Sequence, residues 1–324
     1  MFKTVSRKTF LLLTVLVLMV SVLSISLLSL DNIANAEDPE VQEYETIAPI
    51  STGYSYRAQA KNVLVDLTGI PMFITTGVEI IINKTVENIT FTYIPNKKIS
   101  GSKITIESRN ADLNIYFDDI IIEGKDNEAT IINKSTKGTV HLINNGTKAT
   151  VIKGGDRTES GSFKDGLGIS GIIYTKGNIS FEGEYGFVVD GAGNSFLTTY
   201  LGNLHYGNTG LQVSGNKNVY VNTTVNVFGG VGLAGAHIGQ LGYGGGHGGY
   251  AFDGSSSNVI IGDNGYFTLK GGDGGDGACL AKSGILGKGG KAGAAYKGSI
   301  NVNDTSKFEY EDGEDGIDGF FLGY

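Results

Sequence analysis

From about residue 100 onward, apolar and polar residues alternate over four to seven positions at a time, the period of a strand with one buried face. Leu113–Phe117, Ile179–Phe181 and Val219–Val221 are examples. After residue 36 no long stretch carries the 3.6-residue period of an amphipathic helix. The strand-like segments come in threes, each trio is followed by a glycine-rich loop, and the unit recurs about every 40 residues. In the first segment Ile132, Tyr174, Val213, Phe252 and Tyr296 take equivalent places; in the second, Val140, Ile179, Val219, Val259 and Ile300; in the third, Ile152, Val189, Val227, Leu269 and Tyr310. A turn glycine between the first two segments also recurs, as Gly138, Gly177, Gly215, Gly254 and Gly298.

One loop of chain with three short strands cannot bury an apolar face alone. Stacking successive loops pairs strand with strand and turns each recurring position into an internal column. The expected architecture is therefore all-β: a right-handed parallel β-helix, a solenoid of about three strands per turn with glycine-rich loops. A β-sandwich and a β-propeller are the rivals. A propeller blade of this length normally has four strands; here there are three, and the chain has no tryptophan.

Upstream, Ile104–Ile106, Leu113–Phe117 and Ile120–Ile122 read as a further turn. Val63–Val65, Glu79–Ile82 and Ile89–Tyr93 are one more, or a cap. All four prolines lie in the first hundred residues, and a solenoid needs its open ends covered. Residues 37–100 are accordingly expected to be an N-terminal cap or leader region, with the β-helix over 101–324. Before them, Lys3, Arg7 and Lys8 precede an uncharged run from Leu11 to Leu30, and Ala34-Asn35-Ala36 supplies a small-residue cleavage site. Residues 1–36 thus read as a secretory signal peptide. An uncleaved anchor is the alternative, since the run is long enough to span a bilayer.

Export changes the electrostatics. Losing Lys3, Arg7, Lys8 and Asp31 with the signal takes the formal charge from −8 to −10. An acidic surface disfavours nucleic acid and anionic membrane, so the expectation is a secreted or cell-surface protein without stable membrane insertion after cleavage. It also weakens the case for an acidic polysaccharide. Cys279 is the only cysteine, which excludes an intramolecular disulfide and cysteine-built zinc sites. Asn-x-Ser/Thr sequons start at Asn83, Asn88, Asn133, Asn145, Asn178, Asn222 and Asn303.

The loops after the third segment leave from one side of the predicted solenoid and differ in content. A regular scaffold with dissimilar loops is how solenoids build binding surfaces. Tyrosines to stack on sugar rings and short polar groups to bond hydroxyls make Tyr200, His205, Tyr206, Gln240, Tyr243 and His247 the candidate carbohydrate-binding residues. Gly271-Gly272-Asp273-Gly274-Gly275-Asp276 partly resembles the calcium nonapeptide of glycine-rich β-rolls, which nominates Asp273 and Asp276 as calcium ligands. It is one imperfect copy, with the second aspartate misplaced. Runs such as Gly287–Gly293 read as tight glycine packing.

Catalytic patterns are weaker. Gly246-His247-Gly248 and Asp118-Asp119 resemble motifs of pectin-hydrolysing β-helix enzymes but lie several turns apart, whereas hydrolysis needs two carboxylates within about 10 Å. Lys153, Arg157 and Lys164 are the only basic group suited to a lyase, diluted by Asp156, Glu159 and Asp165. The glycine-rich matches lie between strand segments and never open a helix, so they carry no nucleotide-binding meaning.

The recurring strand pairs Ile172–Phe181, Leu211–Val221 and Tyr250–Ile261, with the glycine–aspartate stretch at 271–276, resemble secreted right-handed parallel β-helix proteins of bacteria and archaea of the carbohydrate-binding or adhesin-like type. That resemblance implies binding of a polysaccharide or cell-surface glycan, with calcium as a possible ligand and no catalysis. The alternatives are a structural envelope protein, or a polysaccharide lyase or hydrolase of the same fold.

Overall fold

The computed structural model describes residues 44–48, 55–68, 77–92, 98–156, 164–166, 168–191, 207–238, 241–279 and 284–321. The expected signal peptide, 1–36, lies outside them. The described chain is all-β, and its one helical turn is the 3-10 turn Thr305–Lys307.

Equivalent strands of successive turns pair in parallel. One turn consists of Gly171–Thr175, Asn178–Gly183 and Phe187–Asp190. Its neighbour consists of Thr209–Val213, Asn218–Val221 and Thr224–Phe228. First pairs with first, second with second and third with third. In the next turn the first two strands fuse into Phe252–Ile261, followed by Tyr266–Lys270; the last turn carries Tyr296–Val302 and Phe308–Glu311. In all, 21 strands join in this one parallel-paired set, an arrangement compatible with a β-helix or solenoid. Tyr44–Ile47, Ser55–Ala58, Asn62–Asp66, Glu79–Ile82 and Asn88–Thr92 belong to it in the same way. The parallel pairing therefore starts well before residue 101, within the stretch expected to be a cap or one more turn.

Registered pairing makes the core. Val63, Ile89, Ile115, Leu142, Phe181, Val221 and Ile261 stack as one internal column, all buried. In the third strands Ile152, Val189, Val227, Leu269 and Tyr310 fall in register as the spacing predicts, preceded by Ile122; all are buried except Tyr310, which the last turn leaves 59% exposed. Along such columns like side chains meet at the strand spacing of about 4.8 Å. Each fully buried Ile or Phe contributes roughly 1.5–3 kcal/mol relative to exposure.

Two expected columns shift. In the first strands Ile104, Ile131, Ile173, Leu211, Phe252 and Tyr296 align. Tyr174 and Ile132 pair with each other on the opposite face, packed with Ala129 and Ile169 in a second small cluster. Val213 pairs with Thr175 and Gly254. The cause is burial of Gly171–Thr175 on both faces: a strand with no solvent side offers no alternation from which to read which side faces inward. In the second strands the register slips at Ser256, where φ is 71°. Val302 then takes the place beside Val259 expected for Ile300. Of the recurring turn glycines, Gly138, Gly215 and Gly298 adopt positive φ, the conformation that favours glycine.

Outside the barrel, amides stack as the apolar columns do within it. Asn114 donates to Asn88, and Asn88 to Asn62, each at 2.9 Å. Asn301, Asn258 and Asn218 form a second ladder, and the Asn218 N–H bonds Asn178. Inside, the buried Asn133 amide donates to Thr175.

Phe187 is buried edge-on against Phe181 (5.4 Å between centroids) and Phe117 (6.3 Å). Phe187→Ala removes the shared ring of that cluster and is expected to cost about 3–5 kcal/mol, measured as a fall in the urea midpoint of the transition reported by these turns. A midpoint shift under a quarter of that size would show that the turns hold together without this ring cluster.

Candidate functional site

The third strands Thr224–Phe228 and Tyr266–Lys270 each run directly into a glycine-rich row, and a second glycine-rich row leads into the next first strand. Outgoing rows 229–236, 271–279 and 312–320 lie beside returning rows 243–250 and 286–294. Their bonding repeats every three residues. Gly271, Gly274 and Gly277 donate to the carbonyls of Glu311, Glu314 and Ile317 in the next outgoing row, each at 2.8 Å. Gly272, Gly275 and Ala278 donate to Gly249, Gly246 and Tyr243 in a returning row, at 2.9, 2.8 and 3.0 Å. Gly245 and Gly248 donate to Lys288 and Lys291, from one returning row to the next. Three residues per turn is the period of polyproline II, whose backbone makes no internal hydrogen bonds. Here rows supply one another's partners, parallel along each stack and antiparallel between the stacks, and the product is a two-layer slab.

At Gly272 and Gly275 this approach requires glycine. A Cβ on Gly275 would stand 2.1 Å from the Leu233 carbonyl oxygen, and one on Gly272 1.9 Å from that of Gly230. The rows touch backbone to backbone, so glycine is required here for space, without positive φ. The glycine-rich run around Gly287–Gly293 is part of the same packing.

The third residue of each triplet projects from the slab. On the outgoing side this register contains Val231, Ala234, Asp273, Asp276, Cys279, Glu314, Ile317 and Phe320. On the returning side it contains Leu241, Gly244, His247, Tyr250, Ile285, Lys288 and Lys291. Polar members tie adjacent rows: Asp273 accepts from the Glu314 N–H (2.9 Å), Asp276 from that of Ile317 (2.8 Å), and His247 Nδ1 from that of Lys291 (2.8 Å). At the edge of the stack Asp312, Asp315 and Asp318 accept from the N–H groups of Ala295, Ala292 and Gly289, each at 2.7 Å. Acids three residues apart thus cap amides three residues apart. The Lys291 ammonium lies 2.7 Å from Asp315. That hydrogen bond, then the Ala292 amide, holds the Asp315 carboxyl below its usual range.

Of the nominated carbohydrate residues, Tyr200, His205, Tyr206 and Gln240 lie outside the described residues. Tyr243 and His247 both fall on the returning row, but four residues apart they do not share a register. His247 is exposed on the outer face, while Tyr243 is half-buried toward the far end. That end exposes Leu241, Ile285, Phe320 and Phe321, and Leu241 pairs with Ile285. The period-2 reading of strands missed these residues; the three-residue glycine spacing was the signal for them. Asp273 and Asp276, nominated for calcium, bond backbone amides. Among the described residues no three His, Cys, Asp or Glu side chains converge as a metal site.

Other charged groups outside the slab are also paired. Lys103 bonds Asp165 and Glu128 (2.9 Å) across successive turns. Burial opposes its charge, but these two carboxylates outweigh that and raise its pKa. Lys153 pairs with Asp190 (3.2 Å). Asp119 binds Thr147 and Lys148 of the next turn. His141 Nδ1 lies 2.6 Å from Glu182, which also accepts from Ser180.

Gly275→Ala is expected to destabilise the slab by about 1–3 kcal/mol or to expel row 271–279, whereas Ala234→Ser, on the outer register, stays within about 0.5 kcal/mol. Hydrogen exchange at Gly275, Gly290 and Gly316 measures both, and equal protection in the two variants would refute the packing argument. A depressed carboxyl pKa contributes stability that is present above the unfolded value, about 3.9, and lost as pH falls through the folded value. The Ala292 amide should therefore stay protected at pH 5 and lose protection only below the ordinary aspartate range, and Asp315→Asn should abolish that acid step. No protein-family model, curated protein or solved structure matches the chain.

Proposed function

We propose that this protein is a secreted or cell-surface right-handed parallel β-helix that binds glycans without catalysing their cleavage, in the manner of an adhesin. The observation that carries the reading is the far end of the glycine slab. Phe320 and Phe321 stand exposed there, and Tyr243 lies toward the same end on row 243–250, which rows 271–279 and 286–294 separate from theirs. The body behind them is fixed by backbone hydrogen bonds in three directions. Exposed rings on a rigid mount lose little conformational entropy on stacking against a sugar face. Soluble chains seldom leave large apolar side chains grouped in water without a binding role. The dissimilar loops on an otherwise repeating coil support the same reading.

Binding to an immobilised panel of neutral and acidic oligosaccharides tests it. Tyr243→Ala and Phe321→Ala should each weaken the best-bound glycan about tenfold or more, with the β-sheet circular dichroism unchanged. Failure of the unmodified chain to retain any glycan in the panel would falsify the reading.

A further inference from the structure

The outer register of the slab is ordered along its length as well as across it. Moving away from the coil, the outgoing side presents Asp273 with Glu314 beside it, then Asp276 with Ile317 beside it, then Phe320. Moving the same way, the returning side presents Lys291 and Lys288 beside His247, then Ile285 and Leu241. Asp276, Glu314, Lys288, Lys291 and His247 are exposed, as are Ile317 at 69% and Ile285 at 65%. Each side thus reads charged and then apolar, acidic on the outgoing side and basic on the returning side, where Lys291 also meets Asp315 at the edge of the stack.

We propose that the slab is a self-association surface, on which the acidic outgoing side of one copy packs against the basic returning side of the next. The match follows from the backbone. Both sides repeat every three residues, about 9 Å in a polyproline II helix, so charges spaced by one triplet on one side meet charges spaced by one triplet on the other. A copy related by simple translation points its slab the same way. Acids then face lysines while Phe320, level with Gly287, faces Ile285 and Leu241. The rows across the contact run antiparallel, as outgoing and returning rows already do within the slab. The contact joins two different surfaces without closing, so it propagates as an open row of copies. Two copies meeting through the same side would set acid against acid or base against base.

The experiment is sedimentation velocity on the full chain, without glycan, in about 10 mM and about 1 M salt, where charges are felt over about 30 Å and 3 Å respectively. Concentration-dependent assembly is expected at low salt, falling at least tenfold at high salt. Lys288→Glu with Lys291→Glu makes both sides acidic, and Asp276→Lys with Glu314→Lys turns the outgoing side basic. Each double variant should remain monomeric, and an equimolar mixture should assemble, because each supplies the side the other lacks. Retained protection of the Gly290 amide shows that the slab is folded in each. A wild-type chain that stays monomeric at low salt, variants that assemble alone, or folded variants that fail to assemble when mixed would each overturn the proposal.

Discussion

Backbone hydrogen bonding between one turn of chain and the next is the constraint on which the rest of this protein depends. Strands can offer their N–H and C=O groups only to the equivalent strand above or below. Every turn must therefore repeat the length and direction of its neighbour, and whatever stands at one position is delivered onto its equivalent. The apolar column from Val63 to Ile261, the stacked pair Phe91 and Phe117 and the asparagine ladders outside are three outcomes of that one requirement. Lys103 with Glu128 and Asp165 shows it acting on charge: residues far apart in sequence become neighbours because they occupy the same corner of different turns.

The glycine slab extends the same rule to another backbone geometry. Where the third strand ends, the period changes from two to three, and each row acquires neighbours in the other layer as well as along its own stack. Side chains are excluded from that interior because the rows approach to backbone contact. This leaves one residue in three to face water within the stack, and on the edge row 312–320 a second register as well. Acid at these positions is structural before it is functional. Asp312, Asp315 and Asp318 close the amides at the edge of the stack, and Asp273 and Asp276 bridge rows, so a motif that reads locally as a cation loop becomes part of the hydrogen-bonding frame.

Much of the coil was legible in the residues. The third-strand column was readable through Leu269 because those strands have one wet and one dry face, so alternation marks the inward side; Tyr310 keeps the register but, in the last turn, has no turn beyond it to cover it. Tyr174 could not be placed that way: Ile169 and Ala129 cover the outer face of its strand, and apolar residues follow one another without a break. Ile300 was displaced by the irregularity at Ser256, which no pattern of apolar residues records. In the slab the triplets around Gly232, Gly275 and Gly290 were visible as spacing. What they mean depends on the presence of several rows, since a single glycine triplet has no hydrogen-bond partner of its own.

By itself, then, the sequence determined the all-β class, the recurrence of three strands and a glycine-rich excursion, and the identity of most residues facing the core, because a repeating chain writes its neighbours' spacing into its own period. Only the tertiary structure decided the side on which Tyr174 and Ile132 are buried, the partners of the aspartates, and the gathering of acids on one side of the slab with lysines on the other. Those outcomes arise from contacts between turns some 40 residues apart, and they are set by stacking and register, which no local stretch of chain contains.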